Sequence, residues 1–178
     1  RRRLDAELVR RGLAPSRQQA QADIASGRVT VGGAPADKAA RLVAPDEPIH
    51  VHGPPPRFVG RGGEKLDGAL DRFAVTVAGR RVYDLGASTG GFTDCVLQRG
   101  AASVVAIDVG YGQLHERLRR DPRVEVHERT NVRHLRPGAM GEPADVLVAD
   151  LSFISLRTVL PAILPLARSG ADLVALVK

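Results

Sequence analysis

Asp84 opens a run of small residues, Leu85-Gly86-Ala87-Ser88-Thr89-Gly90-Gly91, that leaves the apolar stretch Val82 to Leu85 and enters a helix-forming segment. A glycine-rich loop at a strand end lets a nucleotide-like cofactor come close to the backbone. Three more polar residues follow apolar runs: Asp108 after Ser103 to Ile107, Asp150 after Ala144 to Ala149, and Lys178 after Asp172 to Val177. Asp108 stands where the second strand of a βαβ unit meets the hydroxyls of an adenosine ribose. Gly86, Ser88 and Gly90 are thus candidate cofactor contacts. Asp84 is expected to order the loop or reach a ligand amino group, and Thr130-Asn131 falls where an adenine edge would pass.

The spacing narrows the chemistry. The strict Gly-x-Gly-x-x-Gly fingerprint of nicotinamide enzymes is absent, which weighs against a dehydrogenase, and no Gly-Lys-Ser/Thr ending marks a Walker loop. His50, His52, His115, His127 and His134 lack the companion spacing of a zinc centre, so no metal is expected. Cys95 is the single cysteine, which excludes a disulfide within these residues, and no histidine partner for a thiolate nucleophile is evident. The apolar runs are short of a membrane span, and Arg1-Arg2-Arg3 leads into an amphipathic helix rather than a signal-peptide core. The expectation is a cytoplasmic protein without a membrane partner.

To hold these residues together the chain needs a parallel sheet, and its pattern predicts one. Strands over 81–85, 103–107, 124–127, 145–149 and 173–177 alternate with helices over 64–73, 91–98, 114–120 and 156–167. That alternation argues a doubly wound α/β sheet. The first 56 residues read differently. A helix from Leu4 to Arg11 stops at Gly12, Ser16 and Gln19 form a capping box for a second helix ending at Gly27, and short strands and turns follow. Pro54-Pro55-Pro56 marks a boundary. The organisation predicted is a small α+β domain over 1–56, a flexible, cationic linker over 57–63, and an α/β domain over 64–178.

The 178 residues carry a net charge of +6, from 26 basic and 20 acidic side chains. Residues 1–56 hold nine basic against six acidic residues, so half of that excess sits on the smaller part and favours a polyanionic partner. Lysine is scarce: Lys38, Lys65 and Lys178 stand among 23 arginines, which suggests sites that need a compact ammonium able to exchange protons.

Two resemblances give these features a common reading. Leu4-Asp5, Leu8, Gly12-Leu13, Ser16-Arg17, Ala20, Gly27, Val29 and Val31-Gly32-Gly33 resemble the S4 RNA-binding domain. This implies that Arg3, Arg17 and Arg28 grip structured RNA, and the cationic Arg61 joins them as a candidate. Arg61-Gly62-Gly63-Glu64-Lys65-Leu66, the loop from Asp84 to Thr93, Asp108 to Leu114, Glu128 to Asn131 and Ala149 to Ser155 resemble the TlyA family of ribosomal RNA 2'-O-methyltransferases, haemolysin A-like proteins related to the FtsJ type. The resemblance implies a Rossmann-like class I methyltransferase sheet, incomplete at its C-terminal end. The cofactor implied is S-adenosylmethionine, and the reaction is methyl transfer to the 2'-hydroxyl of a cytidine in ribosomal RNA or ribosomal subunits. In the family's Lys-Asp-Lys-Glu set, Lys65, Asp150 and Lys178 take the first three places, and the glutamate falls beyond Lys178. Lys178 is then the proton acceptor or electrostatic activator, with Asp150 and Lys65 positioning it and the ribose. The alternative is a non-catalytic RNA-binding protein that keeps a cofactor-like pocket. Oligomeric state is not legible.

Overall fold

The computed structural model describes residues 1–54, 56–152 and 154–177. They form two units, Arg1–Arg57 and Phe58–Lys178. In the first, β1 (Arg2–Arg3), α1 (Leu4–Arg10) and α2 (Arg17–Ala25) precede β2 (Val29–Val31), β3 (Ala34–Pro35), β4 (Leu42–Val43) and β5 (Ile49–Val51). β1 pairs antiparallel with β4, and β2 is flanked by β3 and β5. Ser16 caps α2 as its spacing implies, its Oγ accepting from the Gln19 amide at 3.1 Å. Leu4 with Leu8, and Ala20 with Ile24, are spaced four apart so that each pair falls on one helix face. They close on Val29, Val31, Val43 and Ile49 to form this unit's core.

The second unit runs α3 (Gly62–Arg72), β6 (Arg81–Leu85), α4 (Gly91–Gln98), β7 (Ser103–Ile107), α5 (Glu116–Arg119), β8 (Val124–His127), β9 (Ala144–Ala149), α6 (Leu156–Ile163) and β10 (Ala167–Ala175). The five strands are all parallel in the order β10-β9-β6-β7-β8. Successive residues of a strand face opposite sides, so a sheet covered on both faces needs apolar residues at every position. Val82, Val104, Ala106, Val146 and Val148 pack against α3 and α4 through Leu66, Leu70, Phe92 and Val96. Tyr83, Leu85, Val105, Ile107, Leu147 and Ala149 pack on the other face against Val159 and Ile163 of α6.

Several boundaries depart from expectation for local reasons. The predicted linker over 57–63 does not stay apart from the α/β unit: Phe58 is buried in its core and α3 begins at Gly62, not Glu64. The helix expected over 114–120 shortens to α5, which His115 caps by accepting the Arg117 amide on Nδ1. The helix expected over 156–167 ends at Ile163 and tightens into a 3-10 turn, Leu164–Leu166. Pro165 has no amide to donate, so the α-helical hydrogen-bond ladder cannot continue through it. β10 starts at Ala167 rather than near Asp172, with a break in register between those two residues around Gly170.

α3 is held from two directions. Its buried Leu66 and Leu70 face α4, while Arg99, just past α4, donates to Asp67 Oδ1 at 2.6 Å and to Asp71 Oδ1 at 2.7 Å. At its start, a Cβ on Gly63 would lie 2.4 Å from Phe58 Cγ and 2.5 Å from its Cβ. Those atoms sit too near the backbone to swing away. Gly63→Ala is therefore expected to displace Phe58 and destabilise the second unit by about 1–3 kcal/mol. Urea denaturation followed by circular dichroism checks this, and an unshifted midpoint would mean that Phe58 repacks at no cost.

Candidate active site

The strand order reverses at β6, which has β7 and β8 on one side and β9 and β10 on the other. In open α/β sheets the crevice beyond the carboxyl ends of the strands at such a reversal is where ligands bind. The glycine loop sits there. Its Gly86 and Ala87 amides both donate to the Ile107 carbonyl, at 2.8 and 3.1 Å, which hangs the loop on the end of β7.

The two key glycines are required by the protein's own packing. Gly86 has φ +87°, and a Cβ there would lie 2.6 Å from the Asp150 carbonyl oxygen. Gly90 has φ +101°, and a Cβ would meet Leu118 Cδ1 at 2.3 Å and Leu114 Cδ1 at 2.8 Å. Of the two glycines expected to let a ligand approach, only Gly86 borders a cleft. Its missing side chain also admits the backbone of Asp150. Gly90 makes room for two leucines, and it lines neither of the clefts at this loop.

Asp108 ties the loop to the next one. Its Oδ2 accepts the Ser88 amide and its Oδ1 accepts the Gly110 amide, both at 2.7 Å. Ser88 holds φ +50°, a costly conformation for a residue with a side chain, and this bond fixes it. Asp108 therefore organises both loops and still presents lone pairs to a ligand hydroxyl. On the far wall, Asn131 Oδ1 accepts the Arg133 amide at 3.0 Å, and the Thr130 amide donates to the Asp108 carbonyl at 2.9 Å.

Asp84 behaves differently from its neighbours. It is fully buried, takes the Thr93 hydroxyl on Oδ2 at 2.6 Å, and its Oδ1 has no hydrogen-bond partner among the described residues. Burial pushes its pKa up to about 7; the bonds from Thr93 oppose the shift, and the charges of Asp108 and Asp150 add to it. It lies beneath the loop, outside the cavity lining, so of its two expected roles the geometry favours ordering the loop.

Two clefts meet at this loop. One, of 480 Å³, is bordered by Gly86, Ser88, Asp108, Thr130, Asn131 and Asp150. It also takes in residues that the sequence reading did not single out as ligands, notably Val109, Gln113, Arg133 and Ser152. Val109 follows the strand-end acid directly, and that adjacency could have flagged it. The second cleft, of 440 Å³, is bordered by Gly60, Arg61, Lys65, Thr89 and Phe92, and it shares Gly86, Ser88 and Asp150 with the first. Lys65 and Asp150, predicted from segments far apart in sequence, thus border one cleft. Lys178 lies outside the described residues, as does Phe153.

The predicted RNA-binding arginines of the first unit divide. Arg3 and Arg17 each place one guanidinium nitrogen on Asp5 Oδ2, at 3.0 and 3.1 Å, and remain about half exposed. Arg28 is turned inward, donating to Asp23 Oδ1 and to the carbonyls of His52 and Gly53. That geometry ties α2 to the end of β5 and gives Arg28 a structural role that sequence could not distinguish from an RNA contact. Among the described residues no group of three or more His, Cys, Asp or Glu is placed to hold a metal ion, and no helix is long and apolar enough to cross a membrane.

A parallel sheet reversing at a glycine loop, with acids at three adjacent strand ends, defines the Rossmann-like class I methyltransferase fold. Residues 58–178 match the FtsJ-like methyltransferase family and residues 2–49 match the S4 domain. The chain is 59% identical over 179 residues to the 16S/23S rRNA (cytidine-2'-O)-methyltransferase TlyA of Mycobacterium tuberculosis, covering 100% of this chain and 67% of the relative. It is 39% identical to Hemolysin A of Brachyspira hyodysenteriae, over 90% of this chain and 67% of that one. A candidate hemolysin from Streptococcus thermophilus superposes with a TM-score of 0.72 at 39% identity, covering 99% of this chain and 65% of the other. The chain belongs to the FtsJ-like methyltransferases, in the TlyA group that carries an S4 domain ahead of the catalytic fold. It spans about two thirds of the length of these relatives.

Asp84 gives the site a pH signature. A carboxyl whose folded pKa lies near 7, above an ordinary 3.8, binds more protons folded than unfolded across that interval. Its contribution to stability is complete below about pH 4 and is lost as pH rises through 7. Asp84→Asn can still accept from Thr93 but cannot ionise. Its stability relative to the parent is expected to rise steadily from pH 4.5 to 7.5 in urea titrations. A difference independent of pH would show that Asp84 does not titrate there.

Proposed function

We propose that this protein transfers the methyl group of S-adenosylmethionine to the 2'-hydroxyl of a cytidine ribose in ribosomal RNA. The observation that carries the reading is the pair of clefts sharing Gly86, Ser88 and Asp150, one bordered by the strand-end acids and the other by Lys65. Asp108 and Asp150 both border the first cleft, and the buried Asp84 lies beneath the loop between them. Such a site suits a cationic ligand. S-adenosylmethionine has that character through its sulfonium and ammonium, and its activated methyl is the chemistry it supplies when bound. Asp108, Ser88, Thr130 and Asn131 are the residues that would hold it, and cytoplasmic ribosomes would be the setting.

A ribose hydroxyl is a weak nucleophile at neutral pH, so the protein's work is to align it and assist departure of its proton. In the second cleft the Lys65 ammonium and the Asp150 carboxylate stand on opposite elements, α3 and the end of β9, where they can orient the ribose between them. Lys178 follows β10, the neighbour of β9, and is assigned the proton-accepting or activating role on the family resemblance. On the S4 unit, Arg3 and Arg17 are the residues assigned to RNA backbone contact, with Arg61 beside the second cleft.

Calorimetric titration with S-adenosylmethionine, alongside NAD, tests the cofactor. Saturable binding of the methyl donor and none of NAD is expected, and Asp108→Ala should weaken the former at least tenfold by removing a ribose acceptor and releasing the Ser88 amide. Absence of binding by folded protein would favour a non-catalytic RNA-binding role. The division of labour is tested by Lys65→Met, expected to keep cofactor affinity within about threefold while lowering methyl transfer to ribosomal subunits by 10²-fold or more. Equal loss of both would remove Lys65 from the acceptor side.

A further inference from the structure

The first unit carries a second cluster of arginines, built on a buried carboxylate and distinct from the one around Asp5. β1 contributes Arg2 and Arg3, consecutive strand residues that point to opposite sides, and α1 places Asp5 and Glu7 two positions apart, on opposite sides of a helix. Arg3 goes to Asp5 and Arg2 to Glu7, the latter with Nε at 3.6 Å from Oε2. Glu7 is 2% exposed, yet it takes Arg10 through both Nε at 2.8 Å and Nη2 at 2.5 Å, and Arg11 through Nε at 2.8 Å.

These cations have different tasks. Arg11 turns its remaining donors to the carbonyls of Ala44, Pro45 and Glu47, which anchors the loop after β4. Arg10 and Arg2 keep 51% and 62% of their side chains exposed. With Arg1 they border a cleft of 280 Å³ whose floor is Glu7 and whose side is Val43 and Pro45. Three arginines against one carboxylate leave that cleft cationic. The two-pronged bond to Glu7 fixes the Arg10 guanidinium plane and leaves its other N–H groups directed away from the carboxylate, as recognition of a phosphate requires.

We propose that the Glu7-centred cleft is a second phosphate-binding site, in which Arg2 and Arg10 take the backbone of an RNA segment other than the one held on the Asp5 side. Glu7 is the positioning residue. The inference rests on the RNA-binding reading of this unit and extends it from one contact face to two.

The test is filter binding of purified ribosomal subunits over a salt series. Arg10→Ala is expected to weaken binding roughly three- to tenfold and to reduce the slope of log affinity against log salt by about 1. Combining it with Arg17→Ala should reduce the slope by about 2, since the two residues would meet different phosphates. Glu7→Gln separates position from charge: it makes the protein more cationic, so a purely electrostatic surface would bind more tightly, whereas a positioned site binds more weakly. Arg10→Lys supports this if Glu7→Gln fails to fold, because it keeps the charge and loses the two-pronged bond. Unchanged affinity in Arg10→Ala, or parent-like affinity in both Glu7→Gln and Arg10→Lys, would overturn the proposal. Failure of the parent protein to bind subunits would instead remove the RNA-binding reading on which it stands.

Discussion

The second unit turns on a backbone contact that leaves no room for a side chain. Gly86 presses against the carbonyl of Asp150 so closely that a Cβ would sit 2.6 Å from its oxygen, while its amide reaches across to Ile107. The ends of β6, β7 and β9 are drawn together by this one residue. The in-register pairings Leu85 with Ile107 and Leu85 with Ala149 bring three strands to the same level, and Gly86 fastens them there. Asp108 and Asp150, the residues that follow two of those strands, flank the loop because of that register. A side chain at position 86 would separate β9 from the loop and split the wall that the two clefts share.

Crowding of acids is the cost of that arrangement, and the structure distributes it unequally. Asp108 lowers its burden by accepting two backbone amides, a favourable environment for a carboxylate at the ends of loops. Asp84, directly beneath, is fully buried with its strongest bond coming from a neutral hydroxyl. Asp108 accepts two amides, whereas Asp84 is driven toward its neutral form by burial. A cationic ligand entering above them would relieve the repulsion that Asp84 feels from Asp108 and Asp150, so ligand affinity and the protonation of Asp84 are linked through the same carboxylates.

The sequence was most legible where periodicity and geometry coincide. The limits of β6, α4, β7 and β8 match the sequence pattern because turn residues punctuate each segment; Asp108 and Asp150 stand out because each follows an apolar run, and Asp84 because it opens the glycine loop. Side-chain destinations were less legible. Arg28 and Arg17 look alike in sequence, each beside a turn in a basic unit, yet Arg28 spends its donors on backbone carbonyls from the far end of the unit. Gly86 and Gly90 looked like ligand-facing glycines, but their need for small size comes from Asp150, Leu114 and Leu118, contacts between segments distant in the chain. The junction was misread because Gly60-Arg61-Gly62-Gly63 has the composition of a flexible linker. Those glycines instead permit close packing: a Cβ on Gly60 would meet Thr89 Oγ1 at 2.9 Å, and one on Gly91 would meet the Gly63 amide nitrogen at 3.0 Å.

The two units solve a similar electrostatic problem with opposite signs. In the second, acids converge on a space suited to a cation. In the first, buried acids serve as anchors from which arginines project, so that a modest excess of three positive charges becomes two oriented clusters rather than a diffuse cloud. Burial of Asp5 and Glu7 would be prohibitive for isolated carboxylates; their several guanidinium partners offset it and hold both groups well below the usual carboxylate range. An arginine fixed in this way loses less conformational entropy when it meets a phosphate. The preference for arginine over lysine in this unit follows from the same geometry, since a planar guanidinium can bind a buried carboxylate along one edge and still offer donors along another.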